Sequence, residues 1–162
     1  MTSNLTVLRS AGATVWLPLW FSCLARSYAE LGQLDDAWRC LSEATTTAKT
    51  TKETSWEVDV QRVAGAIALL SDGEESAEAY FNRALAVARH QQAKYFELRA
   101  FMSLARLRRS QGKVQQAREL LALVYGRFTE GFDTRDLKEA KELLGELAVQ
   151  QRQLAKSETV HE

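Results

Sequence analysis

The stretch Leu24-Ala25-Arg26-Ser27-Tyr28, followed by Gly32 and then by Ala37, Leu41 and Ala44, decides the fold. Forty residues on, the same order of small and large residues returns as Ala64, Gly65 and Ala68, then Asp72, then Ala77, Phe81 and Ala84. A second step of forty gives Leu104, Ala105 and Arg108, then Gly112, then Ala117, Leu121 and Val124. The small residues therefore recur as Ala25, Gly65, Ala105 and as Ala37, Ala77, Ala117, and the large ones as Leu41, Phe81, Leu121. Apolar positions within each stretch fall three or four apart, the period of a helical face.

This pattern predicts helical hairpins. A first helix ends near Gly32, Asp72 or Gly112, a short turn follows, and a second helix returns beside the first. Small residues belong where two helices cross closely, and the large residue fills the space one turn further on. Asp35 with Asp36 and Glu74 with Glu75 stand at second-helix starts, where carboxylates complement the helix dipole. The spacing predicts helices over 15–31, 35–51, 54–71, 74–92, 94–111, 114–129 and 134–152. Gly131 is expected to stop one helix, and Asp133 or Thr134 to cap the next. The last helix is expected to bury Leu137, Ala140, Leu144, Leu147 and Ala148, with Lys138, Lys141, Glu142 and Glu146 opposite. The fold class is thus an all-α superhelix of three hairpins, about 15–53, 54–93 and 94–131, plus a capping helix. Residues 154–162 are expected to be a disordered tail.

Composition agrees. One proline and eight glycines are few for an all-β chain, and good helix formers dominate. No apolar run is long enough to span a bilayer, because the patch from Val15 to Ala25 is interrupted by Pro18, Ser22 and Cys23. The first nine residues lack the order of a signal peptide. Cys23 and Cys40 do not make a disulfide framework, and the expected location is the cytoplasm. The net charge of zero is unevenly placed: residues 1–80 carry −5 and residues 81–162 carry +5.

The small-and-large pattern resembles the tetratricopeptide repeat, in a variant longer than the usual 34 residues. Further likeness lies in the stretches Leu98-Arg99-Ala100, Ser103-Leu104-Ala105-Arg106-Leu107, Val124 to Thr134 and Asp136-Leu137-Lys138-Glu139-Ala140. They resemble the C-terminal end of bacterial multidomain proteins in which a class III adenylate/guanylate cyclase or DNA-binding domain precedes a signalling-type ATPase domain. That resemblance implies a helical-repeat regulatory tail. It carries over no cyclase or ATPase activity, because no residue matches their motifs.

The chain has no G-x-x-x-x-G-K-[ST] phosphate loop and no G-x-G-x-x-G. His90 and His161 are far apart, and no grouping has metal-ligand spacing. Asp72-Gly73-Glu74-Glu75 lacks the twelve-residue calcium loop and reads as a hairpin turn. No catalytic, cofactor or metal residues are assigned, and the chain is not expected to be an enzyme. Cys23 and Cys40 are read as reduced packing or surface residues in preference to a redox pair.

The family's groove positions, carried onto this frame, are Leu19, Ser22, Arg26 and Ala29, then Asp59, Arg62, Ala66 and Leu69, then Arg99, Met102, Arg106 and Arg109. Segment 94–128 holds 8 Lys+Arg against 2 Asp+Glu. Arg26, Arg62, Arg99, Met102, Arg106 and Arg109 are thus the candidate groove for a protein or acidic peptide partner. A solvated basic face is the plainer reading of the same residues. Nucleic acid fits poorly, since no aromatic residues alternate with the arginines. The expected function is protein–protein interaction or scaffolding. The alternatives are a sensor of a small anionic effector and a gene fragment without independent activity. In the forty-residue frame residues 1–14 match only the later half of a second helix. Trp16, Trp20 and Phe21 would then face the side where a repeat is missing, and the expectation is self-association through that end or dependence on an upstream segment or separate subunit.

Overall fold

The computed structural model describes residues 16–52 and 54–158, all helices and turns, with no strand among them. The helices are α1 (Leu17–Glu30), α2 (Leu34–Thr51), α3 (Glu57–Ser71), α4 (Glu74–His90), α5 (Lys94–Ser110), α6 (Val114–Tyr125) and α7 (Arg135–Glu158). They fall into two compact units divided between Val87 and Ala88, inside α4.

In the first unit, Pro18 stands in the first turn of α1, where its missing N–H costs nothing. Leu17, Phe21, Ala25 and Ala29 recur at four-residue spacing and are buried. They form one core with Ala37, Leu41 and Ala44 of α2 and Val60, Val63, Ala64 and Ile67 of α3. Gly32 ends the first helix with φ of 74°, and the Gln33 N–H reaches back to the Tyr28 carbonyl at 2.9 Å. Such a turn closes the orphan carbonyls of a helix end and requires a left-handed residue, for which glycine has no Cβ penalty. Trp38 of α2 is tied to this unit by a hydrogen bond from its indole N–H to the Ser71 hydroxyl, 3.3 Å, and by its tilted packing on Tyr80, 5.8 Å between centroids.

Gly65 sits against the Phe81 ring, which is itself 2 % exposed. A Cβ at position 65 would stand 2.6 Å from ring atom Cδ1 and 3.0 Å from Cζ. The corresponding pairs in the forty-residue frame, Ala25 with Leu41 and Ala105 with Leu121, have a larger small residue and a smaller large one. All four of those residues are buried.

In the second unit, α5 carries buried Leu98, Phe101, Met102 and Leu107; α6 carries Val114, Ala117, Leu121 and Val124; α7 carries Leu137, Ala140, Leu143 and Leu147. Gly112, at φ of 75°, joins α5 to α6 by the same hydrogen bonds as Gly32: the Lys113 N–H reaches the Arg108 carbonyl at 2.9 Å. The segment 126–134 is held by two tilted aromatic pairs, Tyr95 with Phe128 and Tyr125 with Phe132.

Several boundaries differ from the sequence expectation. Helix α6 stops at Tyr125, not 129, because Gly126, a poor helix former, follows it and Phe128 turns away to pack on Tyr95. Helix α3 begins at Glu57, not 54, after a turn in which the Glu57 N–H bonds the Thr54 carbonyl. Helix α7 runs to Glu158, beyond the expected end at 152 and into the expected disordered tail; Gln151 to Lys156 are good helix formers without glycine or proline. It buries Leu143 beside Leu137, Ala140 and Leu147, while Leu144 and Ala148, expected to be buried, are half-buried. Asp133 and Thr134 do not cap it with a side chain: the Thr134 hydroxyl donates to the Gly131 carbonyl at 2.7 Å. Helix α3 ends next to Asp72, as expected, and the left-handed residue of the turn is Gly73. The expected helix remnant 1–14, and His161, lie outside the described residues.

Candidate functional site

The candidate groove residues of the second unit meet the chain's own last helix. Arg99 Nε donates to Asp136 Oδ2 at 3.0 Å, Arg106 pairs with Glu139, and Arg109 pairs with Glu146. The three arginines follow one edge of α5, and the three carboxylates follow the facing edge of α7 at helical spacing. Met102, expected between them as an apolar contact, is 3 % exposed and belongs to the interior. The strip expected to take an acidic partner is therefore matched, charge for charge, within the chain. On sequence spacing Glu146 falls on the solvent face of the last helix, and neither Asp136 nor Glu139 stands out as a partner. The signal that could have found them is the acidic spacing of α7 set against the basic spacing of α5, read as two edges instead of two separate faces.

A second ionic contact draws the turn segment inward. Glu97, 8 % exposed, accepts from Arg89 Nε at 3.0 Å and from Arg127 Nη1 at 3.4 Å. Its low exposure is sustained by two guanidinium groups, since an unpaired carboxylate there would lose its hydration without compensation. Sequence spacing gave no hint of this triad, because its members come from three separate segments.

In the first unit the two groove arginines each pair with a carboxylate of their own helix. Arg26 is exposed and pairs with Glu30 one turn along its own helix. Arg62 pairs with Asp59, a carboxylate only 8 % exposed in its side chain. Ser22 is buried and turns its hydroxyl onto the Leu19 carbonyl at 2.8 Å.

Of the expected aromatic surface at the start of this unit, Trp16 is 53 % and Trp20 56 % exposed. Phe21 is 5 % exposed and lies in the core, because the four-residue period from Leu17 turns it inward. Trp16 packs tilted on Trp56 at 5.4 Å between centroids, a contact the sequence frame did not anticipate. Cys23 is exposed and Cys40 half-buried, and both are free. Burial pushes the Cys40 thiol above its ordinary pKa, with Arg39 opposing.

Among the described residues, no group of three or more His, Cys, Asp or Glu side chains could hold a metal ion, and no helix is long and apolar enough to cross a membrane. No family model and no curated protein matches the sequence.

Proposed function

We propose that the chain is a protein–protein interaction and scaffolding module, a tetratricopeptide-like solenoid of three forty-residue hairpins closed by α7. The observation that carries this reading is the pair Trp16 and Trp20, one helical turn apart and each more than half exposed. Tryptophan is costly to leave in water and is enriched at the centres of protein interfaces, where its large apolar body is covered. Burial of Ala37, Ala77 and Ala117, forty residues apart, supports the repeat. So does the recurrence of left-handed Gly32 and Gly112, and of left-handed Lys52 and Gln92. The resemblance to the tails of bacterial cyclase- and ATPase-type signalling proteins supports a regulatory role in the cytoplasm, without catalysis in this chain.

The partner surface is the tryptophan end of the first unit, toward either a second copy or another protein. The test combines sedimentation with affinity capture from the native cell extract, for the parent chain and for Trp16→Glu with Trp20→Glu. The expected result is self-association or a captured protein, lost in the variant. A monomer at all concentrations, with the same proteins captured by both forms, would sink the reading.

A further inference from the structure

Most arginines of the second unit are spoken for: Arg89, Arg99, Arg106, Arg109 and Arg127 each pair with a carboxylate. Arg118 of α6 and Arg152 of α7 do not, among the described residues. Arg118 Nη1 donates to the neutral Gln151 side-chain oxygen at 3.0 Å, and Arg152 Nε to the Ala148 carbonyl at 3.2 Å. Both line an open hollow of about 440 Å³ with Ala148, Gln151 and Ala155. A guanidinium has five N–H donors in a planar fork, so each retains several directed away from the single bond it makes. The walls between them are short alanine side chains, which leave room for an incoming group and do not compete for the donors.

We propose that Arg118 and Arg152 form an oxyanion site that seats the carboxylate side chains of an acidic peptide segment of a partner protein. This rests on the interaction-module reading and places an acidic-peptide site away from the arginine strip of α5. The chemistry is fork-to-carboxylate pairing from two guanidiniums on neighbouring helices. Two features favour a peptide over a free metabolite. The hollow is open, whereas small-molecule sites enclose most of their ligand. Outside the hollow, α7 also exposes Val149 and Leu154, 47 % and 45 %, apolar surface available to the rest of a peptide but not to a small anion.

The probe is a fluorescein-labelled ten-residue peptide of alternating Glu and Leu, with a Gln-for-Glu control, followed by fluorescence anisotropy against the full chain. Glutarate and inorganic phosphate serve as free competitors. The acidic peptide should bind and the Gln control should not, and binding should weaken as salt is raised. Arg118→Gln or Arg152→Gln should each weaken it about fivefold and together roughly twentyfold, while Arg39→Gln with Lys49→Gln, two exposed cations of the first unit, changes nothing. Far-UV circular dichroism checks the fold, and Arg118→Lys with Arg152→Lys, which keeps the charge but loses the fork, replaces a variant that fails to fold and should still weaken binding. Equal binding of the two peptides, or an unchanged affinity of the substituted chain, overturns the proposal. Glutarate or phosphate displacing the peptide at its own concentration shows a small-anion site and overturns the peptide assignment. Capture of a partner through the tryptophan end while the acidic peptide fails to bind refutes this site and leaves the module reading intact. Peptide binding with no such partner keeps this site and removes the tryptophan end as the partner surface.

Discussion

Replacing Gly65 by alanine would put a methyl group into the space of the Phe81 ring. In a helix interior that change ordinarily gains about 1 kcal/mol, because glycine is the poorer helix former. The contacts decide otherwise. Ring atoms at 2.6 Å and 3.0 Å from the new Cβ are well inside van der Waals separation, and a ring only 2 % exposed has no solvent to move into. Overpacking of a dense core costs roughly 1–3 kcal/mol. The net expectation is a loss of up to about 2 kcal/mol. Phe81→Leu alone leaves a void and costs about 1 kcal/mol. The double variant recreates the alanine–leucine pair that stands at Ala25 with Leu41 and at Ala105 with Leu121. It should unfold within about 0.5 kcal/mol of the parent, so the two changes couple by roughly 2 kcal/mol. The assay is urea unfolding followed by tryptophan fluorescence. Trp16, Trp20, Trp38 and Trp56 all lie in the first unit, so the signal reports the unit that holds the pair. A stabilised Gly65→Ala, or additive single effects, would refute the volume argument.

Ala117→Leu and Ala77→Leu, at positions with no exposure, should each lower stability by roughly 1–3 kcal/mol, while Gln116→Leu on the solvent side changes little in the same circular dichroism melts. Arg106→Glu with Arg109→Glu would set carboxylates against Glu139 and Glu146, so it should cost about 1–2 kcal/mol at low salt and less at high salt. Adding Glu139→Arg and Glu146→Arg should restore most of that loss; no recovery would mean that the two edges do not meet. Iodoacetamide at mildly alkaline pH should label exposed Cys23 before Cys40, whose partial burial and raised thiol pKa both slow it, as peptide mapping over time would record. Equal rates would contradict the placement of Cys40.

The helices were legible because their signals are local. Small residues every forty positions, the acidic first turns and the turn glycines predict seven helices over nearly the spans that form. Errors gathered where a neighbour outside the helix decides. Helix α6 stops short because Phe128 finds Tyr95, and α7 buries Leu143 in place of Leu144 because its rotation follows the helices it packs on. The pairing of the candidate groove residues was hidden for a related reason. A count of arginines shows their number but not their partners, and Arg99, Arg106 and Arg109 are answered by residues 37, 33 and 37 positions away. Trp16 and Trp20 were readable as a surface, whereas Phe21 followed the inward four-residue period that begins at Leu17, a residue the aromatic stripe left out.

The pairing of α5 with α7 also sets a concentration scale. A helix tethered through the short segment 126–134 is present at its own binding strip at a local concentration on the order of millimolar. An acidic helix arriving from solution at micromolar concentration is outnumbered about a thousandfold, a handicap of roughly 4 kcal/mol before the apolar contacts of Leu137, Leu143 and Leu147 are counted. The α5 strip is therefore closed to competitors while the connection is intact. A single proteolytic cut between residues 126 and 134 would turn that intramolecular contact into a bimolecular one and open three arginines to whatever acidic segment is nearest.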